Sequence, residues 1–138
     1  MEIKLNRKNN ALHFEGSSMS SDIKVHIDGP ENAGGEKKGS RPMELVLMAL
    51  GSCSVFDLSI ILEKQRQKIE DIQVKVSGKR RDEIPTIFTD IHISFQLRGE
   101  VNIEKANKAA ELAVKKYCSV HDMLTAGGVN ITYSIDLG

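Results

Sequence analysis

The stretch from Met43 to Leu62 is the most apolar in the chain, and any fold has to find a place for it. Its length is close to that of a bilayer span, about 20 residues. Against that reading, Glu44 and Asp57 would put charges in hydrocarbon, and Gly51-Ser52-Cys53-Ser54 interrupts the run. The polar tail Glu63-Lys64-Gln65-Arg66-Gln67-Lys68 also carries the helical pattern into water. A helix that is apolar nearly all round and does not cross a membrane is a central helix, buried by the rest of the fold. Ser40 stands where a cap belongs, Pro42 is tolerated in the first turn, and Glu44 there complements the positive end of the helix dipole.

Strands surround this helix in the pattern. Ile3 and Leu5, then Leu12 and Phe14, then Ile23, Val25 and Ile27 read as three short strands in a meander. The glycine-rich and charged stretch Asp28 to Ser40, with Gly29, Pro30, Gly34, Gly35 and Gly39, reads as an exposed, mobile loop. Beyond the helix, Ile72, Val74 and Val76 alternate with polar residues. After a turn at Arg80 to Pro85, Ile87, Thr89, Ile91, Ile93, Phe95 and Leu97 lie at period two, which predicts a two-stranded antiparallel ribbon ending at Gly99. A second helix from Ile103 to Tyr117 puts Ile103, Ala106, Ala110, Ala113, Val114 and Tyr117 on one stripe. A short third helix runs from Ser119 to Gly127-Gly128, and a last strand alternates through Val129, Ile131, Tyr133, Ile135 and Leu137. The order is α+β, not a βαβ repeat, and 138 residues suit one domain, 1–138.

With 19 basic against 19 acidic residues there is no net charge to bind a phosphate backbone, so nucleic acid is not an expected partner. Met1 to Leu5 carries no basic and apolar export signal, which points to the cytoplasm, and no membrane partner is expected. Two cysteines in a reducing compartment are too few for a disulfide scaffold or a four-cysteine zinc knot. They are either small apolar filler or working thiols. Cys53 sits in the middle of the central helix, beside Gly51, Ser52 and Ser54, whose small side chains leave room for a reactant. Cys118 sits at the start of the third helix with Lys115, Lys116 and His121 nearby; a helix start and neighbouring cations both lower a thiol pKa. A thiolate that attacks a peroxide becomes a sulfenic acid, which a second cysteine traps as a disulfide, so two cysteines suffice for a cycle.

Three stretches then carry a resemblance. Pro42-Met43-Glu44-Leu45 with Leu50-Gly51-Ser52-Cys53, Arg80 through Thr89, and Lys116-Tyr117-Cys118-Ser119-Val120 with Met123-Leu124 resemble the OsmC/Ohr family of osmotically induced and organic hydroperoxide resistance proteins, specifically an OsmC-like sub-branch. The resemblance implies an OsmC-like α+β fold: antiparallel sheets wrapped around two central helices in an intertwined homodimer. It implies thiol-dependent reduction of organic hydroperoxides in the antioxidant stress response, with Cys53 peroxidatic and Cys118 resolving. The reductant would be an external dithiol such as a lipoylated protein, with no metal or organic cofactor. It further implies a supporting glutamate and an arginine that holds the thiolate, for which Glu44 and Arg7 or Arg41 are the candidates. Met43 stands directly after the helix-starting Pro42, where the family's peroxidases commonly carry their glutamate. The step from Glu44 to Cys53, at about 100° and about 1.5 Å per residue, leaves the two on opposite faces and about 13 Å apart along the helix, so only Glu44 of a second copy could reach Cys53.

Three rival readings compete. Cys118, His121 and Cys53 could ligate zinc, although His13, His26 and His92 are scattered. A hydrolase built on Cys118 with His121-Asp122 lacks an oxyanion loop. The stronger rival to a peroxidase is a non-catalytic dimer that binds or senses a small hydrophobic ligand in a groove lined by Met43, Met48, Phe56 and Met123, residues that at helical spacing read equally as plain core.

Overall fold

The structure, a computed structural model, describes every residue from Met1 to Gly138. It divides into two compact units, Met1–Val46 and Leu47–Gly138.

In the first unit, β1 (Ile3–Arg7), β2 (Phe14–Ser18) and β3 (Ser21–Ile27) form the expected antiparallel meander in the order β1-β2-β3. β2 begins at Phe14, and Leu12 falls outside it, because the Asn9 side chain takes up the backbone between the strands. Its Oδ1 accepts from Ala11 N–H (3.0 Å) and His13 N–H (3.1 Å), holding a turn where alternation alone suggests strand. Ile3, Leu5, Ile23 and Val25 lie on the sheet as exposed apolar residues.

The loop after β3 is built around one buried acid, contrary to the mobile loop expected from its glycines. Asp28, 2 % exposed, accepts from the backbone N–H groups of Gly29 (2.8 Å), Glu36 (3.0 Å) and Lys38 (3.1 Å). Burial pushes its carboxyl up, but the three amides outweigh burial and hold it below the ordinary aspartate value. Composition could not reveal this, since the glycines that make a loop flexible are the same ones that let it wrap a carboxylate.

Helix α1 (Pro42–Lys64) extends beyond the apolar run Met43 to Leu62 by one residue at its start and two at its end. Ser40 does not cap it. The Ser40 backbone is tied to β3, receiving a bond from Asp28 N–H (3.0 Å) and donating to His26 O (3.1 Å). The Glu44 carboxylate closes the helix start instead, accepting from Arg41 N–H at 2.9 Å, one half of a capping box.

The second unit holds a three-stranded sheet in the order β4 (Lys68–Arg80), β5 (Phe88–Glu100), β6 (Asn130–Leu137). β4 and β5 form the antiparallel ribbon, and β6 adds to β5 in parallel. The intervening α2 (Ile103–Glu111), a π-helical segment Leu112–Tyr117 and α3 (Ser119–Ala126) supply the long crossover that a parallel pair requires. Ile91, Ile93, Phe95 and Leu97 are buried as their alternation predicts. At the strand's start the phase flips: Phe88 is buried and Ile87 is exposed, because a bulge at Lys79/Arg80 sets Arg80 opposite Phe88. Of the α2 stripe, Ala106, Ala110, Ala113 and Val114 are fully buried, whereas Ile103 and Tyr117 at its ends are exposed.

Along α1, Leu50, Ser54, Leu58 and Leu62 form a fully buried stripe at a spacing of four, and Gly51 beside it is buried as well. The opposite stripe is open: Met48, Phe56 and Ile60 are 53 %, 66 % and 50 % exposed. The expected all-round burial is therefore corrected to one covered face per chain, since the sheet lies on one side of the helix only. Gly51 makes the covered face close. A Cβ there would lie 2.8 Å from Cγ2 of Val76 on β4, and Val is stiff about χ1 and cannot swing aside. Gly51→Ala should therefore destabilise the chain by roughly 1–3 kcal/mol, the usual penalty for overpacking, measured as a lower denaturant midpoint at unchanged slope. An unchanged midpoint would mean that the helix is not held this closely.

Candidate functional site

The site lies between α1 and the start of α3, within the second unit. Cys118 has an extended backbone (φ −74°, ψ 106°) and is the N-cap of α3, with its sulfur in the place usually taken by a serine or aspartate oxygen. Its Sγ accepts from His121 N–H at 3.4 Å. A second donor comes from α1: Ser54 Oγ–H points to the same sulfur at 3.5 Å. Cys118 is 2 % exposed and Cys53 half-buried; both are free thiols. The fold brings the two thiols near enough for Cys53 to act on the Cys118 proton.

The charge balance at Cys118 differs from the sequence expectation. Burial pushes its thiol above the ordinary cysteine value; the Ser54 hydroxyl and the His121 amide pull it down without cancelling burial, and Cys53 pushes it further up. The lysines expected to lower it are turned to aromatic rings. Lys115 Nζ lies 5.9 Å from the centre of Tyr133, and Lys116 Nζ lies 5.4 Å from the centre of Tyr117. The π-helical segment Leu112–Tyr117 precedes Cys118 directly. A uniform helical period cannot reveal such widening, so the sequence alone does not place these lysines.

The small residues around Cys53 also have other partners than a reactant. Gly51 makes room for Val76, and Ser54 is a fully buried donor to Cys118. Ser54 was not among the expected site residues. The signal that could have found it is a lone hydroxyl on the stripe Leu50, Ser54, Leu58, Leu62, because a buried hydroxyl needs a partner.

The other candidates lie in the first unit. Arg7 donates from Nε and Nη2 to the carbonyl of Ala11 at 3.1 and 3.0 Å, bracing the turn between β1 and β2. Arg41 and Glu44 meet each other through the backbone N–H of Arg41. The His121 ring pairs with Asp122 (Nδ1 to Oδ1, 3.2 Å), so the group that His121 turns to Cys118 is its amide. No three His, Cys, Asp or Glu side chains are arranged to hold a metal ion. Of the proposed groove residues, Met48, Phe56 and Met123 are exposed and Met43 is half-buried.

Residues 34–134 match the model of the family described as OsmC-like protein. Protein YhfA of Escherichia coli K12 is 41 % identical over 127 residues, covering 91 % of this chain and 90 % of that protein. A hypothetical protein from Aquifex aeolicus VF5 has a solved structure 32 % identical, with a TM-score of 0.81 over 99 % of this chain and 96 % of that one. An organic hydroperoxide resistance protein from Elizabethkingia anophelis shares the fold at 16 % identity, with a TM-score of 0.73 over 100 % of this chain and 97 % of that one.

The two thiols should part under a mild alkylating agent. At pH 8 iodoacetamide should modify Cys53 and leave Cys118 free until the chain unfolds, as peptide mass mapping would report. A thiol whose proton is held more tightly in the folded state stabilises the fold below the ordinary cysteine range, and the contribution is lost as pH climbs through the raised value. The melting temperature of the wild type should therefore fall more steeply above pH 9 than that of Cys118→Ser; parallel curves would contradict the raised value.

Proposed function

This chain belongs to the OsmC-like protein family, and on that premise we propose that it is a thiol-dependent peroxidase that reduces organic hydroperoxides through Cys53 and Cys118. The observation that carries the reading is the pairing of a half-buried thiol with a buried one that keeps its proton. Cys53, the accessible member, attacks the O–O bond as a thiolate; the sulfur gains one oxygen as sulfenic acid, and the alkoxide leaves and is protonated to an alcohol. Cys118 then attacks the Cys53 sulfur. The S–S bond forms, the S–O bond breaks, and hydroxide leaves with the Cys118 proton as water. Two electrons from an external dithiol, such as a lipoylated protein, reopen the disulfide, so no resident metal or organic cofactor is needed.

A homodimer completes this reading. The open stripe of Met48, Phe56 and Ile60 on α1 is apolar surface of the kind that a second copy covers. Apolar surroundings also favour alkyl or fatty-acid hydroperoxides over hydrogen peroxide. Glu44 of the second copy would support Cys53, and Arg7 or Arg41 would hold the thiolate. For this Arg7 has to leave the Ala11 carbonyl and Glu44 the Arg41 amide. A cytoplasmic setting, with its dithiol supply, fits the cycle.

Those same engagements favour a second reading, a non-catalytic dimer that binds a small hydrophobic ligand against the exposed Met48, Phe56 and Met123. Turnover decides between them. With an alkyl hydroperoxide and dihydrolipoamide, the wild type should consume peroxide, Cys53→Ser should fall to the uncatalysed background, and Cys118→Ser should stall with Cys53 over-oxidised to sulfinic acid. A wild type no faster than Cys53→Ser would leave the binding reading in place.

A further inference from the structure

Helix α1 carries three serines, and two of them behave as helix serines ordinarily do. Ser52 Oγ–H donates back to Ala49 O (3.2 Å) and Ser59 Oγ–H to Val55 O (2.7 Å). Ser54 departs from that habit: fully buried, it turns its proton across to Cys118 Sγ at 3.5 Å. A neutral thiol sulfur is a weak acceptor, so the arrangement gains little while Cys118 is protonated. It gains much more once the sulfur is charged, because a hydrogen bond to an ion is far stronger than one to its neutral form.

We propose that the Ser54 hydroxyl, together with the His121 amide, is the device that lets Cys118 ionise inside the protein, and so sets the rate at which Cys118 attacks the Cys53 sulfur. The inference rests on the Cys53/Cys118 cycle proposed above and adds a residue to its second step. When Cys118 gives up its proton ahead of attack on the Cys53 sulfur, the negative charge on its own sulfur is met by two donors already in place on separate elements, α1 and α3. The other ionisable groups about Cys118 are Cys53 on α1, His121 and Asp122 on α3, and Lys115 and Lys116 on the preceding segment. The two lysines face Tyr133 and Tyr117, and the His121 ring faces Asp122.

Burial and the neighbouring Cys53 keep the Cys118 proton on, while Ser54 and the His121 amide work to release it.

The second step can be isolated from the first with an aromatic disulfide, 5,5′-dithiobis(2-nitrobenzoate). Cys53 attacks it, releasing one thionitrobenzoate and keeping the other in a mixed disulfide; Cys118 then attacks the Cys53 sulfur and releases the second as a thiolate. Ser54→Ala should leave the first release unchanged, which also shows the site intact. It should slow the second about tenfold at neutral pH, the order expected for one hydrogen bond to a charged group, and move its rise to higher pH. Cys118→Ser should give no second release. An unaltered second release in Ser54→Ala, or one slowed equally at every pH as loosened packing would cause, overturns the assignment. A parallel arm with an alkyl hydroperoxide separates the two claims. If the mixed disulfide resolves as described but peroxide leaves both thiols free, the peroxidase reading falls and the role of Ser54 toward the Cys118 thiol stands.

Discussion

The close approach of α1 to β4 at Gly51 is the contact on which the site depends. Because position 51 has no side chain, the helix settles against Val76 and Val74, and its buried stripe runs Leu50, Ser54, Leu58, Leu62. Ser54 is then directed into the interior, and Cys53, one residue before it, is left at the border of the buried and open faces. The crossover from β5 to β6 delivers Cys118 to the same place through α2, a π-helical segment and an abrupt extended residue. Two thiols distant in the chain meet because a helix is pressed onto a sheet.

Their electrostatics follow from that placement. A buried sulfur resists ionisation, and the fold answers with two donors, neither of them a formal charge. Cys118 consequently holds its proton more tightly than an ordinary cysteine. Cys53, half-buried, is the more accessible of the two thiols. No neighbouring cation offsets the burial of Cys118, since the lysines near it are turned to tyrosine rings.

Much of the fold was legible in the sequence because apolar alternation and helical stripes report which faces are covered. The meander, the ribbon, the three helices, the last strand and the α+β class all follow from it. Details decided by single polar groups did not. Asn9 cut Leu12 out of a strand, Asp28 ordered a glycine-rich loop, and Glu44 displaced Ser40 as the closure of α1. The parallel pairing of β6 was equally hidden, since alternation carries no direction. At the site, the two cysteines stood out by scarcity and resemblance, whereas Ser54 looked like one of several small residues beside Cys53. What set it apart was its position on a stripe that only the packed helix defines. The open apolar face of α1 was also invisible, because an apolar run does not say how much of itself the same chain will cover.

The central claim is that Cys53 and Cys118 of one chain act as a redox pair. Its most direct test is the mass of the reduced protein after one equivalent of an alkyl hydroperoxide, with peptide mapping. The account predicts loss of two hydrogens, no free thiol, and a single peptide pair joined through Cys53 and Cys118 of the same chain. Oxygen added at Cys53 with Cys118 still free, or a link between two chains through Cys53, would contradict it.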